Sequence, residues 1–421
     1  MYKAVVAKIY VTPHPDPEVH SIAVGVACNN TVIVSNKVQT GELGIYFECD
    51  GQLSLDFCKQ NKLLREDGGY FDENRRVRAQ KFRGVRSDGF WIPVDSVAFT
   101  GVSVADLKEG DTFDSLKGVQ ICSKYETAAT RSRKAGEANK KKAKKEVKFK
   151  AAFPKHFDTE QFRTSVKKFQ VGDLITLSEK LHGTSQRFAL TEVALLTPRW
   201  SLARLKQVLG LMPKKKWDYL VGTRNVTLYN PEQTSYYGSE KFRFTVVEKI
   251  RPLLKKGEIL FFEVVGWTDG GKSIMPKVNT SGLKDKKFKK QYGDSFYYSY
   301  GCQEGQADIF VYRIANLTPD GELIDLPWNS VKERCNQLFI KHVPEYEQFI
   351  FDGDYDKLVQ IVEDWTEGPS KVDSSHIREG VCVRAERYPT PLVVKNKSFP
   401  FKVLEGIAKD NSDYEDMEET A

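Results

Sequence analysis

Residues 174–185 read Leu174-Ile175-Thr176-Leu177-Ser178-Glu179-Lys180-Leu181-His182-Gly183-Thr184-Ser185. This is a β run that ends in a lysine, with a glycine three residues later. Gly183 allows the backbone to turn sharply and approach a ligand, while Thr184 and Ser185 offer hydroxyl or amide groups to phosphate or ribose oxygens. A lysine that loses its proton among other cations can attack the α-phosphorus of a nucleotide. Lys-x-x-Gly alone is weak, because most such lysines are surface charges.

The composition around this segment is that of an ordinary globular protein. The chain has 421 residues, 40% hydrophobic and 29% charged, which predicts two domains. No apolar run approaches the eighteen or so residues that cross a bilayer, and no cleavable signal pattern is seen. The seven cysteines lack CxxC spacing, so neither a disulfide framework nor a zinc ribbon is indicated. We expect an intracellular protein, cytoplasmic or nuclear, without a membrane partner.

The first hundred residues contain short β runs separated by turn clusters, which predicts a small all-β barrel or sandwich. Near its end, cations alternate with aromatic and apolar residues over residues 75–91. One face of this segment would meet nucleic-acid phosphates. Its candidate nucleic-acid-binding residues are Arg76, Arg78, Lys81, Arg83 and Arg86. The alternative is a solvated strand with core aromatics, and for Trp91 the core position is favoured.

The rest of the chain divides by composition. Residues 131–150 hold ten basic and two acidic residues, and we predict a basic linker over residues 116–150. Both a solvated helix and a flexible phosphate-seeking tether fit this linker. Longer β runs then alternate with helical patterns, as at residues 201–209 and 356–362, which predicts an α+β domain over residues 151–408. Acidic residues predict a disordered tail at 409–421.

Five further segments follow residues 174–185 in a fixed order. They are Thr223-Arg224-Asn225 and residues 259–266, 309–314, 378–384 and 391–399. In this order the chain resembles the covalent nucleotidyltransferase superfamily of ligases and capping enzymes, whose motifs I, Ia, III, IIIa, IV and V succeed one another in this way. The nearest likeness is to ATP-dependent RNA ligases of the branch with an N-terminal OB domain, through residues 179–185 and 397–406.

This resemblance covers residues 153–407 and, more loosely, the first hundred residues. It implies an OB-like β-barrel that binds nucleic acid at residues 1–115. It also implies an adenylyltransferase catalytic domain at residues 151–408, with an ATP-grasp-like ligase fold of antiparallel sheets and flanking helices.

The resemblance also implies roles for individual residues. It implies that Lys180 is the site of AMP attachment and that Arg224 contacts phosphate or ribose. Glu379 is the principal carboxylate for magnesium-bound water, and Glu263 is a contact to ribose or to such a water. A neighbouring lysine could instead pair with Glu263 as an ordinary surface carboxylate.

The remaining candidates complete the ATP site. Lys395 and Lys397 are two residues apart in a β run, so their side chains share a face where two cations can hold a triphosphate. Either Phe310 or Tyr312 would face the adenine, although such aromatics are more often core residues. The other candidate ATP-binding residues are Glu179 and Gly183.

One residue departs from the pattern of related enzymes. They often carry aspartate or glutamate two residues after the lysine, where this chain has His182. Neutral imidazole is a poorer ligand for hard magnesium than a carboxylate, so we do not expect direct metal contact by His182. Orientation of a water, contact with phosphate and packing all stay open for this side chain.

A second nucleotide motif is present literally, since residues 266–273 fit the spacing of a P-loop. A working P-loop requires a helix to begin at its Lys-Ser end, so that the N-terminal amides of the helix cradle phosphate. Pro276 and the following Asn-Thr-Ser-Gly leave little room for that helix. We therefore predict a glycine-rich turn.

Taken together, the resemblance implies an ATP-dependent RNA ligase that uses ATP with Mg²⁺ or Mn²⁺. It would join RNA 3′-OH and 5′-phosphate ends at nicks in duplexes, through lysyl-AMP and an adenylylated 5′ end, and a monomer is expected. A DNA ligase or mRNA-capping guanylyltransferase with the same lysine chemistry is the nearest alternative. A non-catalytic RNA-binding protein is the alternative from another class.

Overall fold

The computed structural model describes residues 2–126, 149–195, 202–232, 237–283 and 285–405. They belong to two compact units. The described parts of residues 1–142, 280–291 and 399–421 form the first unit, and those of residues 143–279 and 292–398 form the second. Most of the predicted basic linker, residues 127–148, and the whole predicted acidic tail lie outside the described residues.

The first unit is built mainly from short strands. They are β1 (Ala4–Lys8), β2 (Tyr10–Pro13), β3 (Ile22–Ala27), β4 (Asn30–Ser35), β5 (Leu43–Glu48), β6 (Gly51–Leu53), β7 (Gln80–Phe82), β8 (Val85–Ser87), β9 (Gly89–Pro93), β10 (Thr112–Phe113), β11 (Ser115–Leu116), β12 (Val119–Gln120) and β13 (Cys122–Lys124). They pair as a four-stranded sheet β10-β1-β5-β9, a three-stranded sheet β2-β3-β4, and the pairs β7-β8, β6-β13 and β11-β12. Strands thus continue past the domain boundary that we predict at residue 115.

No closed barrel is found among the described strands of the first unit, so the OB-like barrel stays a prediction. The core of the unit follows from strand alternation. Val6 and Ile45 are paired in register between β1 and β5, and both are fully buried. Trp91 is also buried, and its indole N–H donates to the carbonyl of Ala7 at 3.1 Å. Trp91 is therefore a core residue.

The second unit contains the longer strands. They are β14 (Phe149–Ala151), β15 (Glu160–Gln161), β16 (Leu174–Lys180), β17 (Thr184–Leu195), β18 (Lys215–Thr223), β19 (Thr227–Leu228), β20 (Glu258–Gly266), β21 (Val278–Asn279), β22 (Ser295–Phe296), β23 (Ala307–Leu317), β24 (Leu323–Asp325), β25 (Lys341–His342), β26 (Glu345–Ile350), β27 (Gly380–Ala385) and β28 (Leu392–Lys397). A five-stranded sheet has the order β15-β28-β27-β16-β26. An eight-stranded sheet has the order β19-β18-β17-β20-β23-β24, with β14 paired to β17 and β25 to β23. Most of these pairs are antiparallel, as predicted.

The helices are short. They are α1 (Leu55–Gln60), α2 (Phe162–Ser165), α3 (Leu202–Val208), α4 (Lys241–Thr245), α5 (Lys286–Tyr292), α6 (Trp328–Leu338), α7 (Tyr355–Thr366) and α8 (Phe399–Leu404). The helical patterns at residues 201–209 and 356–362 are confirmed as α3 and α7. Asp354 caps α7 by accepting from the backbone N–H of Lys357, and Leu358 and Val362 bury its inner face in the core of the five-stranded sheet. Within the described ranges, every helix falls short of the length and apolarity needed to cross a lipid bilayer.

The two large sheets of the second unit, which also contains the short pair β21-β22, meet at the segment that carries Lys180. Strand β16 lies inside the five-stranded sheet, where Ile175 and Leu177 are fully buried. Strand β17 lies inside the eight-stranded sheet. Only residues 181–183 separate the two strands. The chain therefore leaves one sheet for the other immediately after Lys180.

Gly380 opens β27 at a point where two strands come unusually close. A Cβ atom there would lie 2.0 Å from the carbonyl oxygen of Asn396, and the backbone has φ +153°. We expect Gly380→Ala to lower the free energy of unfolding by about 1–3 kcal/mol, because β28 would have to move away. Gly270→Ala is the matched control, since its nearest neighbour would be 4.0 Å away. Chemical denaturation of both variants checks this, and equal stability would contradict it.

Candidate active site

Three lysines share one face of the five-stranded sheet. In the register of β16, β27 and β28, Lys180 pairs with Gly380, which pairs with Lys397. Two residues further along these strands, Cys382 lies between Ser178 and Lys395. Residues paired across strands, and residues two apart along a strand, point to the same face. The structure thus brings Lys180, Lys395 and Lys397 together, as predicted for the last two.

The carboxylate of Glu379 holds this face together. Its Oε1 lies 2.8 Å from Lys180 Nζ and 3.1 Å from Lys397 Nζ, and its Oε2 lies 3.3 Å from His182 Nδ1. The side chain of Glu379 is only 4% exposed. Burial alone would raise the pKa of Glu379, but the neighbouring cations outweigh it and hold the pKa well below its usual range. Glu379 is therefore an anion.

The same contact determines the protonation of Lys180. Burial by itself lowers the pKa of Lys180, but the charge and hydrogen bond of Glu379, together with Glu263 and Cys382, outweigh burial and leave the pKa above its ordinary value. The amine is consequently a protonated cation while it is paired with Glu379. A ligand that takes over the carboxylate would release Lys180 from this pairing, and would so favour its neutral, nucleophilic form.

A second row of residues lies on the eight-stranded sheet. Ser185, Glu263 and Phe310 are paired in register across β17, β20 and β23. Glu263 is half-buried. Burial raises the pKa of Glu263 to about 7, although Lys180 opposes the shift. Glu263 and Lys180 are thus close enough to influence each other's charge, although they stand on different sheets.

The two candidate adenine-facing aromatics differ in their surroundings. Phe310 is 3% exposed and lies beneath Lys341, whose Nζ is 5.4 Å from the ring centre. Tyr312 is half-buried, and its hydroxyl is 2.7 Å from Ser185 Oγ. Its ring contacts that of His156 at 5.0 Å between centroids. Tyr312 is therefore the more accessible of the two.

Arg224 and Gly183 lie at the ends of strands of the eight-stranded sheet. Arg224 follows β18, pairs with Asp158, and is 44% exposed. A Cβ atom at Gly183 would lie 2.5 Å from the carbonyl oxygen of Val264. Glycine is required at 183 because the backbone after Lys180 passes directly against β20.

Glu179 does not join the charged face. Its side chain is 1% exposed and, as the neighbour of Lys180 along a strand, points to the opposite face. Its Oε2 accepts from the Tyr346 hydroxyl at 2.7 Å and from the backbone N–H of Lys371 at 2.8 Å. The structure thus gives the Glu179 side chain a structural position, and the ATP-binding role of Glu179 stays a prediction.

Sequence reasoning missed the residues that support the loop after Lys180. The backbone N–H of His182 donates to the Tyr300 hydroxyl at 2.6 Å, and the His182 ring contacts Tyr298 at 4.7 Å between centroids. Arg243 is buried and donates to Thr184 Oγ1 at 2.7 Å. No fixed spacing links these residues to Lys180, because they come from segments roughly sixty to more than a hundred positions away. Of the roles left open for His182, packing is observed, and the ring also makes a polar contact to Glu379 that the sequence did not predict.

The predicted nucleic-acid-binding residues have different environments in the first unit. Arg76 pairs with Asp50 at 3.0 Å, and Arg86 pairs with Asp88 at 2.7 Å. Lys81 is exposed on β7. Arg83 lies in the turn between β7 and β8, and Arg78 is half-buried, with its Nε unpartnered among the described residues. The hairpin β7-β8 therefore carries Lys81 and Arg83, and Arg76 and Arg86 form ion pairs with carboxylates.

The literal P-loop motif forms a turn. Trp267 and Ser273 are joined by an isolated β-bridge, and the backbone N–H of Thr268 donates to the carbonyl of Lys272 at 2.8 Å. No helix begins at Lys272 in the described residues 237–283. The prediction of a glycine-rich turn is confirmed.

The raised pKa of Glu263 has a consequence for stability. A carboxyl whose folded pKa is raised contributes stability that is present below its unfolded pKa and is lost as pH rises through the folded value of about 7. We expect Glu263→Gln to be more stable than the parent at pH 8, and the gain to shrink at pH 5.

Glu345→Gln is the opposite control. Hydrogen bonds and charge from Lys332, with a bond from Trp328, hold the pKa of Glu345 below its ordinary value despite its burial. That variant should lose stability at pH 8. Thermal unfolding at both pH values measures the two differences, and a destabilised Glu263→Gln at pH 8 would contradict the account.

Comparison with solved structures supports the fold. A mutant Naegleria gruberi RNA ligase with ATP and Mn is 15% identical, with a TM-score of 0.59, and the match covers 96% of this chain and 98% of that chain. The same ligase with PPi is 15% identical, with a TM-score of 0.59 and coverages of 95% and 97%. A further mutant in the apo form is 16% identical, with a TM-score of 0.61 and coverages of 96% and 97%. At this level of sequence identity, the matches show only that the chain shares the mixed α+β fold of these structures.

Sequence comparisons identify the family. Comparison with curated proteins gives no significant match. The RNA ligase family, in contrast, matches residues 173–404, which is more than half of the 421-residue chain. The matched region contains Lys180, Glu263, Glu379, Lys395 and Lys397. The resemblance predicted from the order of the motifs is confirmed, and the chain belongs to the RNA ligase family of covalent nucleotidyltransferases.

Proposed function

We propose that the protein is an ATP-dependent RNA ligase that joins RNA 3′-OH and 5′-phosphate ends through an AMP bound covalently to Lys180. The observation that carries this proposal is the ion-paired face on which Lys180 and Lys397 share the buried carboxylate of Glu379. A nucleophilic amine, further cations for phosphate oxygens and a carboxylate for a metal ion are thereby assembled within one site.

ATP and a divalent metal, Mg²⁺ or Mn²⁺, fit this site. The solved Naegleria gruberi ligases include forms with ATP and Mn, with AMP and Mn, and with PPi. Magnesium usually keeps several waters and takes one or two carboxylates together with substrate phosphates. Glu379 and Glu263 supply two carboxylates, and no cluster of three or more acidic, histidine or cysteine ligands occurs in the described residues. A water-rich site of this kind matches the donors present.

Residues of this chain supply the groups for the first chemical step. The neutral amine of Lys180 attacks the α-phosphorus of ATP, forming an N–P bond while the bond from that phosphorus to the pyrophosphate oxygen breaks. Lys395 and Lys397 stabilise the negative charge that develops on the departing pyrophosphate. A metal ion at Glu379 would supply positive charge to the phosphates and would compete with Lys180 for that carboxylate.

Two further transfers complete ligation. The 5′-phosphate of RNA attacks the phosphorus of lysyl-AMP, so that a P–O–P bond forms and the N–P bond to Lys180 breaks. The 3′-hydroxyl then attacks the 5′-phosphorus and displaces AMP, leaving a phosphodiester. Arg224 and Glu263 would contact phosphate or ribose in these steps. Tyr312, as the more accessible aromatic, would face the adenine.

We assign RNA binding to the first unit as an OB-like module. Lys81 and Arg83 on the β7-β8 hairpin provide cations for phosphates, and nicked duplexes are the substrate that we infer. A monomer that acts inside the cell, in cytoplasm or nucleus, completes the proposal. All seven cysteines are free thiols, in keeping with a reducing compartment.

The central test is formation of the lysyl-AMP adduct. Intact protein incubated with ATP and Mg²⁺ should gain AMP, and peptide mass spectrometry should locate it on Lys180. Lys180→Ala should abolish the adduct, whereas Lys272→Ala should retain it because Lys272 belongs to a glycine-rich turn. An undiminished adduct in Lys180→Ala, or its loss only in Lys272→Ala, would overturn the proposal.

Nucleotide and strand preference separate the related activities. We expect labelling by α-labelled ATP and not GTP, because the family is that of RNA ligases. Nicks with an RNA 3′-OH strand should be sealed faster than all-DNA nicks. Labelling by GTP alone would indicate a capping guanylyltransferase, and faster sealing of all-DNA nicks would indicate a DNA ligase.

A further inference from the structure

The lysine-rich helix α5 has no role in the site described so far. It runs over Lys286-Lys287-Phe288-Lys289-Lys290-Gln291-Tyr292 and contains no acidic residue. Asp285 precedes it and accepts from the backbone N–H of Lys287 at 2.8 Å. Phe288 and Tyr292, four apart on one face, are buried. The lysines at 286, 287 and 290 are exposed, so the helix is anchored by its aromatic face and presents its cations to solvent.

These exposed cations lack counter-charges. The side chains of Lys286, Lys287 and Lys290 have no ion pair or hydrogen bond with any described residue. Some exposed lysines of the second unit do form such pairs, as Lys215 pairs with Glu192 at 2.7 Å and Lys357 with Asp352 at 2.8 Å. The positively charged lysines of this helix repel one another. A bound polyanion would reduce that repulsion.

Helix α8 connects this patch to the basic hairpin within the first unit. Arg86 and Lys81 lie over the ring of Phe399, with Cζ at 4.1 Å and Nζ at 5.8 Å from its centre. The other end of α8 contacts residues 280–282, where a Cβ on Gly282 would lie 3.7 Å from Val403 Cγ1. The hairpin therefore contacts α8 directly, and the segment that contacts the other end of α8 lies four residues before α5 in the chain.

The dimensions suit one nucleic-acid ligand. Helix α8 is about 9 Å long, and the four residues from Gly282 to Lys286 span at most about 14 Å. The hairpin and α5 are therefore within one turn of a duplex, which is about 34 Å. A duplex presents a phosphate charge about every 1.7 Å along its axis, so a single RNA can meet both elements.

We propose that α5 is a second RNA-phosphate-binding element, in which Lys286, Lys287 and Lys290 extend the surface formed by Lys81 and Arg83. This inference deepens the proposed function and rests on it for the identity of the ligand. The side chains contact phosphates and not bases, so the element adds affinity and salt dependence without sequence preference.

The test compares three full-length triple variants. One carries Lys286→Ala, Lys287→Ala and Lys290→Ala, and a second carries arginine at the same positions. The third carries Lys37→Ala, Lys59→Ala and Lys108→Ala, which are exposed lysines of the first unit outside the hairpin, α5 and α8. The dissociation constant for a nicked RNA duplex is measured over a series of salt concentrations without ATP, and lysyl-AMP formation is measured separately with ATP and Mg²⁺.

The alanine variant at α5 should bind on the order of tenfold more weakly at low salt. Its plot of log affinity against log salt should be shallower by about 2–3, because each lost phosphate contact removes about 0.7–0.9 from the slope. The arginine variant and the remote triple should match the parent, and all variants should form lysyl-AMP at parental rates.

Parental affinity and slope in the α5 alanine variant would overturn the inference. So would equal weakening by the remote triple, which would show a general effect of net charge. Failure of the parent protein to form lysyl-AMP would instead refute the proposed function. Binding is measured without ATP, so these two failures are distinguishable.

Discussion

The arrangement of the site depends on one buried carboxylate. Glu379 is nearly inaccessible to water, and a buried anion is tolerated only when cations and hydrogen-bond donors surround it. Lys180 and Lys397 meet that requirement from strands β16 and β28, on either side of β27, and His182 does so from the loop between the sheets. As a result, the amine of Lys180, which we propose as the nucleophile, stays protonated while it is paired with Glu379. The ion pair thus holds the side chains in place in the free enzyme and keeps the lysine amine protonated.

Close backbone approach makes this pairing possible. Gly183 brings the loop after Lys180 against β20, and Gly380 brings β27 against β28. Any side chain at either position would separate strands that carry charged groups of the site. Tyr300 supports the same loop by accepting the backbone N–H of His182. Lys180, the nucleophile that we propose, is therefore positioned by the contacts of two sheets, and only in part by its own strand.

The two units are not consecutive blocks of chain. Residues 280–291 and 399–404 lie within the region that the RNA ligase family matches, yet they belong to the first unit. Helix α8 begins two residues after Lys397, so the strand that bears Lys395 and Lys397 continues directly into the first unit, to which we assign RNA binding. Because the chain returns twice to the first unit, that unit carries basic residues that come from outside the N-terminal part of the sequence.

Local order in the sequence was sufficient to predict the strand ending at Lys180, the shared face of Lys395 and Lys397, helices α3 and α7, and the turn at residues 266–273. Each depends on residues close in the chain, whose periodicity or turn chemistry is visible there. Only the tertiary structure revealed that Glu179 faces away, that Arg76 and Arg86 are held by carboxylates, and that Tyr300 supports His182. Those outcomes depend on strand register and on partners far along the chain, and no local pattern encodes which distant residue a side chain will meet.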